Sequence, residues 1–419
     1  MIRTINYSSK NSKKKLINIL NERRSGKNIN TKIVSKILKD IKKNKIKAVL
    51  KYESRLSDNK QIYPSKSKIQ SSIETLDIKI RRAIDLAYNR IYKFHSLQKL
   101  KNIKYLDKYK NKIEYINVPL NSVGIYVPAN LPSTLLMNVI PAKIAGVKEL
   151  ILANPKLNGS LNPAVMYAAR KCGVDKIVNI GGAQAIGCFA YIFKVDKIVG
   201  PGNDFVARAK KEVFGHVGIE GMIAGPSEIT VVADKKSNIS QITTSLVAQS
   251  EHGPNSQSIL VTSDKELINK TKLEINMIIK KLPRKHIILK SLKKNGLIIL
   301  TSNKAQIVDV VNIISPEHLE IILNDYKYFD GKIINAGSIG LGKYSPVAAS
   351  DYNVGTNHTL GTLGSSKFSS GLNLSDFYKK ISQFTLSKKG IEVIGKQAIT
   401  LAEYENLHAH ALSIKSRLL

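Results

Sequence analysis

The hydrophobic pattern changes near residue 123. From there, short apolar runs at 123–127, 149–153, 176–180 and 196–199 alternate with helix-length stretches at 135–146, 162–172 and from Ala183 onward. Short strands separated by helices are βαβ units, which build a parallel sheet with helices on both faces. The texture returns further on, with apolar runs at 229–233, 258–261, 297–300 and 332–335, so a second α/β unit is expected. Residues 1 to about 115 read instead as charged and mostly helical, a scaffold without a catalytic cluster, and an apolar helix from 391 to about 404 closes the chain. Within the second unit, Ile239, Ile242 and Leu246 recur at helical spacing. They put Gln249 and His252, three apart, on one helix face, where an amide oxygen and an imidazole can reach one ion. A histidine beside polar neighbours is more often solvated than ligating, so the pair needs other segments to converge on it.

Composition narrows the class. The chain has 419 residues, 43% of them hydrophobic, enough for two or three domains with real cores. Cys172 and Cys188 lie in apolar stretches without Cys-x-x-Cys spacing, and read as buried thiols in a reducing compartment. No secretory h-region and no membrane-length apolar run is present, so a cytoplasmic protein without a membrane partner is expected. Sixty-six Lys plus Arg against thirty-one Asp plus Glu give a formal charge of +35, which raises nucleic-acid binding. The lysines, however, are spread along the chain among abundant Ile and Asn, the pattern of an AT-biased genome. Tryptophan is absent, and no stacking-aromatic stripe, helix-turn-helix or zinc-finger spacing appears. No nucleic-acid partner is expected.

Several segments carry candidate chemistry. Gly181-Gly182-Ala183-Gln184 and Gly200-Pro201-Gly202-Asn203 stand where strands end and helices begin, a setting that suits a pyrophosphate, although glycine there is commonly plain turn geometry and neither is a G-x-G-x-x-G. Gly337-Ser338-Ile339-Gly340-Leu341-Gly342 has its spacing reversed and no helix directly after it, and is set aside. Ser315-Pro316-Glu317-His318 reads as a helix start with Ser315 as N-cap. The positive helix end would keep His318 neutral and Glu317 ionised; capping with an exposed histidine is the plainer alternative. Asp351 and His358 fall in an irregular, glycine-rich region that suits ligand loops or simple turns. Glu405 and His410 are five apart, so either the closing helix breaks between them or they meet different groups.

Taken together, VGIYVP at 123–128, GGAQAI at 181–186, VDKIVGPGN at 195–203, AGPSE at 224–228, QSEH at 249–252, PEHLE at 316–320, DY at 351–352, TNH at 356–358 and ENLHAH at 405–410 resemble histidinol dehydrogenase over roughly residues 115 to 419. The resemblance implies two Rossmann-like parallel-sheet domains lacking G-x-G-x-x-G, with small helical segments at both ends. The boundaries drawn are 1–18 for an N-terminal helical segment, 19–125 with 228–368 for the domain carrying most metal and catalytic residues, 126–227 for the nucleotide-side domain, and 369–419 for a helical tail swapped in a homodimer. It further implies one Zn2+ per subunit on Gln249, His252, Asp351 and His410, with Glu317 and His318 as catalytic acid/base residues. Ser227, His358 and Glu405 would touch the substrate L-histidinol alongside them, and Tyr126, Gln184 and Asn203 would contact NAD. The implied reaction is two NAD-dependent oxidations, through L-histidinal to L-histidine, closing histidine biosynthesis. The rival reading is a degenerate relative kept as a zinc-stabilised binding protein. The chain departs from the family at Ala129-Asn130, where paired glycines are usual, in a shortened loop at 192–194, at Gly361 for proline, at a one-residue extension within 219–223, and at Ser350 for glycine. The last would tilt Asp351 if its backbone required a positive φ.

Overall fold

Two parallel sheets and one antiparallel ribbon organise the residues that the computed structural model describes, which are 2–24, 31–220 and 225–418. In chain order the strands are β1 (Arg3–Asn6), β2 (Ile103–Leu106), β3 (Lys112–Pro119), β4 (Ser122–Tyr126), β5 (Glu149–Ala153), β6 (Lys176–Val178), β7 (Lys197–Val199), β8 (Gly218–Ile219), β9 (Glu228–Ala233), β10 (Gln257–Thr262), β11 (Leu297–Leu300), β12 (His318–Ile321), β13 (Ser338–Leu341) and β14 (Tyr378–Thr385). The first sheet has the order β6-β5-β4-β7-β8 and the second β1-β11-β10-β9-β12-β13. Each runs outward from a central strand, β4 or β9, and then returns to that strand's other side, the doubly wound pattern of a Rossmann-like domain. Both domains expected from the sequence are present. Their inner strands, such as Glu228–Ala233 and Gln257–Thr262, are buried along their whole length, as strands covered by helices on both faces must be.

The covering helices explain the N-terminal third. Helix Pro132–Ala145 fills one face of the first sheet with Leu135, Leu136, Met137 and Ile140, and helix Ile78–Ser96 packs on it through Ile84, Ala87 and Ile91. On the opposite face, helix Thr31–Ser57 sets Val34, Leu38 and Ile41 against Ile186, Cys188 and Phe189. Each of the Leu, Ile, Val, Met and Phe side chains among these contributes about 1.5–3 kcal/mol on burial. The residues between 31 and 96 and strand β4 thus serve the nucleotide-side sheet, whereas the boundaries drawn above grouped 19–125 with 228–368. An amphipathic face tells that a helix is buried, not against which sheet. The first residues differ too: Arg3–Asn6 is a strand, pairing in parallel with β11 before helix Ser12–Arg24 begins.

Two further expectations are corrected. Residues 332–335 are not a strand; the Asn312 side chain accepts from the backbone N–H groups of Ile334 and Asn335, and the edge strand is β13, inside the glycine stretch that was set aside. Glycine is needed there because a Cβ on Gly337 would lie 2.6 Å from the Glu317 carbonyl oxygen. The tail drawn as helical over 369–419 opens with strand β14, which joins β3 and β2 from the stretch read as mostly helical; these strands expose alternating lysines and apolar residues rather than one buried face. Cys172 and Cys188 are free and buried, and burial pushes both thiols up to about 12, so both are inert core residues. Among the described residues no helix is long and apolar enough to cross a membrane.

Candidate active site

Glu317 and His318 stand at the start of β12, not at a helix start. The preceding helix Lys304–Ile314 ends at Ser315, whose left-handed backbone (φ 52°) caps its C-terminus and turns the chain into the strand. The helix-dipole argument therefore does not apply. Burial does the work instead: both residues are enclosed, and loss of water pulls His318 down to about 3, helped by the neighbouring His358 and His252. Its imidazole is neutral near pH 7, as expected but for a different reason. Glu317 departs from expectation, because burial and then the Asp351 charge push its carboxyl well above the ordinary range, with Arg23 pulling against them.

The groups converge across several elements. His318 Nε2 lies 3.8 Å from Asp351 Oδ1 and 4.0 Å from Glu317 Oε1, while its Nδ1 is buried without a partner. Glu317 Oε2 accepts from the Glu228 backbone N–H at 2.7 Å. Asp351 caps the short helix Val347–Ser350, and burial raises its carboxyl to about 7. His358 Nδ1 donates to the Asp351 carbonyl at 2.7 Å, since a carbonyl can only accept; this leaves its Nε2 as an acceptor. Burial lowers His358 to about 4. On the other side, Gln249 ends the helix Ile239–Ser250, and His252 follows just past its cap with Nδ1 3.3 Å from the Ser227 hydroxyl. Ser350 lies in its short helix and is not among the positive-φ residues, so its Cβ does not strain Asp351. Ala224 and the extension at 221–223 lie outside the described residues.

Gln249 is buried, and its side-chain amide nitrogen has no hydrogen-bond partner. The two exposed tail residues, Glu405 and His410, are not brought to this cluster by their own chain. Helix Lys388–Tyr404 ends at Glu405, Asn406 turns with φ 61°, and His410 projects from a second helix, His408–Lys415. Of the two alternatives left open for Glu405 and His410, a break between them is present. Among the described residues no group of three or more His, Cys, Asp or Glu side chains is arranged to hold a metal ion within one chain.

The nucleotide-side residues gather at the carboxyl end of the first sheet, where β4 and β7 diverge, the usual crevice of a doubly wound fold. Tyr126 ends β4, Gln184 lies in helix Gly182–Cys188, and Asn203 caps helix Asp204–Val213 by accepting from Phe205 and Val206 N–H at 3.1 Å. Gly200, at φ +107°, lets its backbone cross the Tyr126 carbonyl; a Cβ there would lie 2.0 Å from that oxygen. The Gly181-Gly182 turn, read above as a possible phosphate cradle, has its amides engaged already. The Gly181 N–H donates to Glu53 at 3.0 Å and the Gly182 N–H to the Tyr126 hydroxyl at 3.4 Å.

Sequence reasoning missed the residues that brace these groups. Arg23, from the N-terminal helix, forms a buried ion pair with Glu228 and donates to the Pro226 carbonyl at 3.1 Å, so a segment read as scaffold steadies the loop under Glu317. Glu320 accepts from Val347 N–H at 2.6 Å and ties the Asp351 helix to β12. Glu228 and Glu320 were inside quoted motifs; Arg23 had no local signal at all.

Two Rossmann-like sheets, a crevice at the switch point of one and a partly buried cluster of histidines and carboxyls beside the other define the architecture of a two-domain α/β oxidoreductase. The comparisons make the class specific. The histidinol dehydrogenase family model matches residues 21–418. The curated histidinol dehydrogenase of Pelagibacter ubique is 52% identical over 425 residues, covering 100% of this chain and 99% of that one. That of Hydrogenovibrio crunogenus is 40% identical over 397 residues, covering 92% of each. The crystal structure of histidinol dehydrogenase from Elizabethkingia anophelis superposes with a TM-score of 0.92 at 34% identity, covering 100% of this chain and 98% of the other. The chain belongs to the histidinol dehydrogenase family.

Proposed function

We propose that the protein oxidises L-histidinol to L-histidine in two NAD-dependent steps through L-histidinal, as the closing step of histidine biosynthesis in the cytoplasm. The observation that carries the proposal is the buried pair Glu317-His318 with Asp351 beside it, since paired groups with perturbed proton affinity in a dry site are what such chemistry needs. NAD, contacted at Tyr126, Gln184 and Asn203, supplies the acceptor for each hydride. His318 takes the proton of the alcohol oxygen as hydride leaves the carbon that bears it, giving the aldehyde. Nε2 is the nitrogen that faces the site, with Asp351 Oδ1 at 3.8 Å and Glu317 Oε1 at 4.0 Å to offset the charge it takes on, whereas Nδ1 is buried without a partner. Glu317 then accepts a proton from water as its oxygen bonds to the aldehyde carbon. In its ionised form the buried carboxylate holds a proton more tightly than an exposed one, which makes it the stronger base. His318, having released its first proton to solvent, takes the hydroxyl proton of the hydrate as the second hydride leaves, which yields the acid. Ser227, His358 and Glu405 would bind the substrate around this centre.

The residues present fit a zinc ion. Gln249, His252 and Asp351 offer an amide oxygen, an imidazole and a carboxylate, a donor set of the kind zinc takes. His410 of the partner subunit would complete the set. Bound zinc would act as a Lewis-acid template that orients the substrate's imidazole and amine. Support for a homodimer comes from apolar surface on the tail and ribbon: Phe384, Leu401, Tyr404 and Leu412 are 70%, 63%, 86% and 64% exposed. Exhaustive chelation should abolish turnover, with zinc restoring it; full activity in protein shown metal-free by elemental analysis would sink the zinc reading. Glu317→Gln should slow oxidation from histidinal, where water must be activated, by about 10²-fold or more, and spare the first hydride transfer. Equal slowing of both in single turnovers would contradict the division of labour. Turnover of histidinol also separates the enzyme from a zinc-stabilised binding protein, which would bind without producing NADH.

A further inference from the structure

Helix Thr31–Ser57 buries one carboxyl, Glu53, which is 1% exposed and has no part in the chemistry above. Its Oε1 accepts from the Gly181 N–H at 3.0 Å and from Gln184 Nε2 at 2.8 Å. The same helix turn is fixed from below, because Asn59 N–H donates to the Glu53 carbonyl and the Asn59 side chain donates to the Asn179 carbonyl at 2.6 Å. The Gln184 Oε1 lies close against the Gly182 backbone, where a Cβ would stand 2.9 Å from it. One carboxyl oxygen thus binds both the turn after β6 and the side chain that opens the following helix, at the carboxyl edge where β4 and β7 part.

We propose that Glu53 is a positioning residue for the dinucleotide: it orients the Gln184 amide and holds the Gly181-Gly182 turn in the shape the cofactor meets. The inference rests on the reading that Gln184 contacts NAD. It also assigns the turn a different use from phosphate binding, since a carboxylate at its amide repels an anion. Removing the carboxyl leaves Gln184 Nε2 and the Gly181 N–H unpaired in a buried site, so the amide turns away and the cofactor loses its partner.

Purified enzyme is assayed with histidinol and NAD varied separately, and NADH binding is followed by its fluorescence. Glu53→Ala should raise the KM for NAD and the NADH Kd roughly ten- to hundred-fold, the size expected for two hydrogen bonds to a charged group, with kcat at saturating NAD and the KM for histidinol within about threefold of the parent. Glu53→Gln keeps an acceptor oxygen and should restore most of the NAD affinity; Glu53→Asp withdraws the oxygen by one methylene and should lose it in a protein with nearly parental Tm, which keeps the test open if the alanine variant fails to fold. Gln184→Ala run alongside separates the outcomes. If it leaves the NAD KM unchanged, the reading of Gln184 is wrong. If it raises the NAD KM while Glu53→Ala and Glu53→Asp do not, or if those variants change kcat and both KM values together, the positioning role of Glu53 is overturned.

Discussion

His318→Ala should lower kcat for both histidinol and histidinal by about 10²- to 10⁴-fold, the range over which a general base contributes. The effect should be large because no neighbour can take over. Glu317 has a separate proton to take, from water in the second oxidation, and His358, whose Nδ1 is fixed on the Asp351 carbonyl, is assigned to binding the substrate. Burial at this position means that a smaller side chain also leaves space among carboxyls whose proton affinity is already raised. Added imidazole, small enough to enter that space, should recover part of the rate. Stopped-flow measurement of NADH from each substrate decides the matter: a defect confined to one of the two oxidations would show that His318 is not the base of both.

The second large effect concerns the proposed sharing of the site between subunits. Each chain brings Gln249, His252 and Asp351 toward one cluster, but carries His410 on an exposed helix after the break at Asn406. His318→Ala and His410→Ala should each be inactive as homodimers. In a mixed dimer, one of the two sites combines an intact cluster with an intact tail. Random pairing puts half of all dimers in that state, so about one quarter of all sites should be active. Co-expression with two affinity tags isolates the mixed dimers. Activity near half that of the parent dimer is expected in that fraction, and mixed dimers without activity would mean that the tail completes its own subunit's site.

Much of the fold was legible because parallel strands buried on both faces write continuous apolar runs, and the runs at 149–153 and 297–300 match β5 and β11 residue for residue. What local pattern could not carry was partnership. The strand at Arg3–Asn6 has four residues and only Ile5 buried, too little for a period-two signal, and its partner β11 is almost three hundred positions away. The Glu317-His318 segment misled for a related reason: Ser-Pro followed by Glu has the chemistry of a helix start, yet Ser315 closes the preceding helix and the next residues are taken up between β9 and β13. Tertiary pairing overrode local propensity. His318 is neutral all the same, because the strand buries it as thoroughly as a dipole would have discouraged its charge. Arg23 and Glu53 escaped notice since a lone charge in a lysine-rich helix looks solvated until the fold reveals what it faces.

The most direct test of the central claim is a product count: histidinol consumed, NADH formed and histidine formed, measured together on zinc-loaded enzyme with excess NAD. The account predicts two NADH and one histidine for each histidinol, with no free aldehyde accumulating. One NADH per histidinol with histidinal as the end product, or no NADH from a zinc-loaded, folded dimer, would contradict it.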